Sequence, residues 1–126
     1  MLAPFHKEQD YPVLCEWLSK MGKAVPAYEI LPDTGYVCYE EHKLLAMCLY
    51  YQTNSKLVFA EFLTVNPDIH GEERSKAIDE VMIGGAVDLK NKGFLMFCRT
   101  SDARVKFRLE KNGFRHIQSG LDLYCF

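Results

Sequence analysis

The residues able to do chemistry are unevenly spread along this chain. Its five cysteines, Cys15, Cys38, Cys48, Cys98 and Cys125, form no C-x-x-C pair. All but Cys15 sit in apolar runs, where a thiol behaves as a small hydrophobe. They are expected to be reduced, buried thiols of a cytosolic protein. No Cys/His grouping has the spacing of a metal site, and Cys98 closes an apolar run, a poor setting for a nucleophile. Arg99, Arg104, Lys106, Arg108 and Lys111 are the one dense basic cluster. On a helix these charges spread over much of the surface, and the formal net charge is -2, so the pattern argues against a nucleic-acid partner. Among the carboxylates, Glu61 lies in a strand-like stretch, where alternation places it on one face with Leu63 and Val65. Glu72 and Glu73 precede a helical stretch, and negative charge is favourable at a bare helix N-terminus.

The elements that must position these residues can be read from periodicity. Residues 2–6 suit a short first strand. Asp10 can cap the next helix, with Pro12 in its first turn. Val13, Leu14, Trp17, Leu18 and Met21 recur at helical spacing until Gly22 stops them. Pro26, Pro32 and the Asp33-Thr34-Gly35 turn signal place a loop or short helical turn over residues 23–34. Aromatic and branched runs at 36–40, 44–52 and 57–65, separated by polar turns, predict an antiparallel meander. A helix follows over residues 75–92, carrying an apolar stripe of Ala77, Ile78, Val81, Met82, Ala86 and Leu89. Gly84-Gly85 inside it costs about 1 kcal/mol per glycine against alanine, which points to close packing or a bend. Residues 94–98 read as a strand at the centre of a sheet. Ser101 or Asp102 caps a helix reaching Lys111, and residues 114–118 and 121–126 read as a closing hairpin.

With 126 residues the chain suits a single domain. No apolar run approaches the roughly 20 residues of a membrane span, and the opening residues lack the apolar core of a signal peptide. The element order implies an α/β or α+β layer with helices on both faces of one sheet.

Three local motifs in that order resemble the GNAT superfamily of acetyl-CoA-dependent N-acetyltransferases, and the resemblance runs along nearly the whole chain. Val65-Asn66-Pro67 matches the family's strand ending, and His70-Gly71-Glu72-Glu73-Arg74-Ser75 occupies its glycine-rich loop before a long helix. Lys111-Asn112-Gly113-Phe114 is similar to the recurrent Gly-Phe ending of a late helix. Glu8-Gln9-Asp10-Tyr11-Pro12 starts the first helix as family members often do. The resemblance implies a mixed, mostly antiparallel sheet with helices on both faces. It also implies acetyl-CoA as co-substrate, a primary amine of unidentified identity as acceptor, no membrane partner and a homodimer.

In such a protein a helix N-terminus holds the pyrophosphate, and backbone at a splay between two central strands meets the thioester. A carboxylate takes the amine proton and a tyrosine protonates the leaving thiolate. Carried over by position, Glu61 is the candidate base. Leu63, Thr64 and Val65 supply backbone contacts to the pantetheine arm. His70, Gly71, Glu72, Glu73, Arg74, Ser75 and Lys76 form the phosphate loop, and Asp102 stands at the family's asparagine position. Two departures matter. Glu73 replaces the middle glycine, and with Glu72 it would repel a pyrophosphate unless His70, Arg74 and Lys76 compensate. Leu109 occupies the usual tyrosine position, leaving Tyr124 as a substitute acid. Two functions therefore stay open: an acetyltransferase with a modified mechanism, or a catalytically degenerate GNAT-like domain that binds or regulates.

Overall fold

The meander forms where its runs of aromatic and branched residues predict it. In the computed structural model, which describes residues 1–120, 122 and 124–126, β2 spans Thr34–Glu40, β3 spans Lys43–Gln52 and β4 spans Leu57–Val65. All three pair antiparallel. A three-residue β1, Leu2–Pro4, adds to β2, and β5, Leu95–Cys98, joins β4 in parallel. The order is β1-β2-β3-β4-β5, a mixed and mostly antiparallel sheet. Among the described residues β5 is thus an edge strand, not a central one, and Leu95 on it is exposed.

Helices cover both faces. Helix α1, Lys7–Lys20, buries Leu14 and Trp17 against Val37, Met47 and Leu49. On the other face, helix α2, Gly71–Asp79, passes through a π-helical turn at Glu80–Gly84 into helix α3, Gly85–Asn91. Ala77, Val81 and Met82 from this side pack with Cys38, Ala46, Cys48 and Val65. Helix α4, Ala103–Lys111, adds Leu109 to that core and is capped by Asp102, which accepts from the Arg104 N–H at 2.8 Å. No helix among the described residues is long and apolar enough to cross a membrane.

Several local expectations need correction. Helix α1 begins before Asp10, with His6 as its N-cap. Asp10 instead sits inside the helix, 2% exposed, and its carboxylate accepts the His6 N–H at 2.8 Å. Its reach-back satisfies an N-terminal donor as a capping box does, one residue later than usual. Helix α2 begins at Gly71 rather than Ser75, because Glu72 and Glu73 in the first turn favour a helix start there. The closing hairpin is not formed over 114–120, which carry no strand. Phe114 is anchored by its N–H to the Leu109 carbonyl, but Ile117 is the one apolar residue in the exposed run that follows. One such residue buries too little surface to hold a strand pair. The second arm includes positions 121 and 123, which lie outside the described residues.

Gly84 and Gly85 have separate explanations. The π-helical turn ends at Gly84, and Gly85 lies against the ring of buried Tyr36. A Cβ at Gly85 would stand 2.7 Å from that ring, which is held by a hydrogen bond from the Tyr36 hydroxyl to Asp88 at 2.7 Å. A Cβ at Gly84 meets only the Leu2 side chain at 3.4 Å, an ordinary contact. Gly85→Ala is therefore expected to lose about 1–2 kcal/mol, overpacking outweighing the gain in helix propensity. Gly84→Ala should gain about 0.5–1 kcal/mol. Urea unfolding of the two variants checks the order, and the reverse ranking would refute the packing assignment.

Candidate active site

Strands β4 and β5 pair only from Leu57 with Leu95 to Ala60 with Cys98. Beyond that point β4 continues to Val65 while β5 has ended. A wedge opens past Ala60, and among the described residues no strand pairs with the β5-side edge of β4 over residues 61–65. A free strand edge presents unpaired N–H and C=O groups, so this wedge can receive an extended ligand.

Glu61 stands at the start of the wedge, in a β-bulge. Leu49 pairs with Phe62 and Tyr50 with Ala60, so Glu61 is the extra residue of β4. A bulge re-aims the side chain it carries. Glu61 therefore does not share a face with Val65, which packs into the core beside α2. It lines an open cleft of about 430 Å³ with Tyr51, Phe59, Phe62 and Arg99. Phe62 also packs on the α1 side of the sheet. Arg99, the residue after β5, donates from its guanidinium to Glu61 Oε1. This ion pair bridges the wedge just past the last paired residues. Neither partner is fully buried, so the pair stays in contact with solvent.

The other side of the wedge leads to the start of α2. Thr64 and Val65 are buried, leaving the backbone as their contribution there, and Leu63 is exposed. Asn66 shapes the connection: its side chain donates to the Leu44 carbonyl at 3.0 Å and accepts from the Asp68 N–H at 2.9 Å. Ile69 then plugs into the core, fixing the point where the helix begins. Gly71 adopts φ +57, with open space where a Cβ would lie. The N–H groups of Gly71, Glu72 and Glu73 find no acceptor among the described residues, which is the usual state of a helix start.

The charges around this terminus divide by face. Glu72 pairs with Lys76 at 2.8 Å, and Glu73 with Lys43 at 3.7 Å. Both acids line a hollow of about 340 Å³ on the side of Tyr39 and Glu40. Lys76 holds the Glu72 carboxyl below its usual range, chiefly through their hydrogen bond. Ser75 faces the other way. Arg108 of α4 donates to its hydroxyl at 3.2 Å and its carbonyl at 3.1 Å, and to Asp79 at 2.6 Å. His70 and Arg74 are exposed, and Arg74 forms no ion pair among the described residues. The two carboxylates that would repel an anion thus carry lysine partners and sit on the β2 side, while Ser75 looks toward α4. Asp102 is occupied by capping α4, and Arg104 keeps its carboxyl below the usual range.

Two positions on the acid side stay apart from the cleft. Leu109 is buried in the core beneath α4. Tyr124 is 88% exposed and does not line the cleft. The cysteines offer no nucleophile there: Cys98 is half-buried and its thiol is pushed up to about 11, mainly by burial. Cys38 and Cys48 are buried as expected, whereas Cys125 is exposed and Cys15 half-buried. Sequence reasoning missed Tyr51, Arg99 in its role beside Glu61, and Arg108 as the link between α2 and α4. Only the parallel register of β4 with β5, a contact between distant segments, brings Arg99 to Glu61.

The fold recurs in solved structures. One is a probable acetyltransferase (TM-score 0.74, 13% identity, covering 100% of this chain and 98% of that one). Another is a putative acetyltransferase from Agrobacterium tumefaciens str. C58 (TM-score 0.73, 17% identity, 99% of each chain). A third is AAC(6')-Iy in complex with the bisubstrate analogue CoA-S-monomethyl-acetylneamine (TM-score 0.66, 15% identity, 100% of this chain and 97% of that one). The chain has the GNAT fold. No protein-family model matches its sequence, and no curated protein matches it.

Proposed function

We propose that this chain is an N-acetyltransferase that moves the acetyl group of acetyl-CoA to a primary amine. One observation carries the reading. The β4–β5 wedge joins a carboxylate-bearing cleft on one side to an open helix start on the other. The fold's occurrence in a protein bound to a CoA bisubstrate analogue supports the same use, as analogy.

Bound acetyl-CoA supplies a thioester carbon, to which the amine nitrogen bonds as the C–S bond breaks and the sulfur leaves as thiolate. The protein's own residues then have definite tasks. The free N–H groups at Gly71, Glu72 and Glu73, with the positive end of the helix dipole, hold pyrophosphate oxygens. Gly71 lets the backbone approach without a side chain in the way. The unpaired edge of β4 from Glu61 to Val65 offers N–H groups to the pantetheine amides and the thioester oxygen. Glu61 accepts the proton lost from the amine nitrogen. Arg99 holds one carboxylate oxygen, which orients the other toward the cleft. Protonation of the departing thiolate falls to solvent, because Leu109 carries no proton. A thiol with a pKa of about 8.5 leaves adequately without an acid.

Isothermal calorimetry with acetyl-CoA tests the reading. We expect binding that weakens as salt rises, because phosphate contacts are partly electrostatic. No heat and no thermal shift at about millimolar cofactor would end the assignment.

A further inference from the structure

The cleft's lining says more about the acceptor than that it is an amine. We infer that the acceptor is a small monoamine with a flat apolar or aromatic body; this rests on the acetyltransferase reading above. Three of the cleft's five lining residues are aromatic: Tyr51, Phe59 and Phe62. Tyr51 and Phe62 lie with ring centroids 6.4 Å apart, and Phe59 is braced edge-on by Phe97 at 5.9 Å. Tyr51 is fixed in place because its hydroxyl donates to the Ile30 carbonyl at 2.7 Å. That bond brings the Tyr28–Ile30 turn against Tyr51, and Ile30 is itself 60% exposed. Exposed apolar surface beside an aromatic cleft marks a place where an apolar group is bound.

Charge limits the number of amino groups. Among the described residues Glu61 is the only carboxylate lining the cleft, and Arg99 already faces it. The lining is therefore electrically neutral, with one carboxylate oxygen free to meet one amine. A second or third ammonium on the same molecule would meet no further acid in the lining and would be repelled by Arg99. Polyamines and other polycations are disfavoured on that ground. Rings that offer π faces accept a single cation or an aromatic body instead.

The test compares 2-phenylethylamine, n-propylamine and spermidine, both as ligands by calorimetry and as acetyl acceptors with acetyl-CoA. Burying a phenyl group should give 2-phenylethylamine a kcat/KM at least about tenfold above the other two. Tyr51→Ala should cut the ratio of phenylethylamine to propylamine kcat/KM about tenfold. Tyr51→Phe, which keeps the ring and loses the bond to Ile30, should preserve most of that ratio. Equal values for the three amines, a preference for spermidine, or an unchanged ratio in Tyr51→Ala would overturn the inference while acetyl-CoA binding stands. If acetyl-CoA fails to bind but phenylethylamine does, the cleft's affinity for an aromatic amine stands, while the acetyltransferase reading and with it the acceptor role fall. If neither binds, both fall.

Discussion

Replacing Glu61 by glutamine is expected to lower kcat about 100- to 10,000-fold, the usual worth of a positioned general base. Affinity for acetyl-CoA should stay within about threefold, because the cofactor's contacts are assigned to backbone and helix start on the other side of the wedge. The substitution is nearly isosteric and removes the one lining atom able to take the amine proton. Glu61 is the unpaired residue of the bulge and is not fully buried, so no ladder pairing is lost and the thermal midpoint should hold. Arg99 loses a charged partner but remains at the surface, where such a pair adds little to stability.

A pH profile separates chemistry from mere positioning. Without a base, only acceptor that is already deprotonated reacts. The variant's kcat/KM should then rise about tenfold per pH unit until the amine's own pKa, near 10 for an alkylamine. The deficit against the parent should shrink along that slope. A role for Glu61 confined to holding Arg99 would give a pH-independent deficit, and unchanged turnover would remove Glu61 from the mechanism altogether.

The elements around this site were legible in the sequence wherever a local signal exists. The ends of β4 were set by the polar turn over residues 53–56 and by Asn66-Pro67, and α4 by the capping Asp102. The bulge was not legible. Ala60-Glu61-Phe62 carries no glycine or proline, and the extra residue exists only relative to the register of β3. Simple alternation therefore assigned Glu61 to the wrong face. Glu72 and Glu73 suggested repulsion of an anion because the sequence shows only one of their partners: Lys76 stands four residues after Glu72, whereas Lys43, which faces Glu73, comes from distant β3. The start of α2 was misjudged for a related reason. The same two acids signal a helix N-terminus, yet the matched motif treats that stretch as a loop.

Glycine was the least readable residue, and Gly35 is the sharpest case. In the sequence it completes Asp33-Thr34-Gly35 and looks like a turn residue. In the structure it lies within β2, buried, opposite Leu49 of β3. A Cβ there would stand 2.7 Å from the Cys48 carbonyl oxygen and 2.9 Å from the Leu49 Cα. Both are backbone atoms of a central strand, so no side-chain rotation relieves the clash. Either β2 moves away from β3 and their ladder bonds lengthen, or β3 bends toward the bulge that carries Glu61. The neighbouring residues raise the cost, since Tyr36, Val37 and Cys38 each enter a different part of the core. Gly35→Ala is accordingly expected to destabilise by about 3 kcal/mol, the upper end for overpacking, and to lower Tm by roughly 10 °C. Urea unfolding followed by circular dichroism measures it, with Gly84→Ala as the control for adding a methyl group at a glycine. A Tm within about 2 °C of the parent would mean that β2 and β3 separate without cost, and that the close approach at Gly35 does not hold the sheet together beneath Glu61.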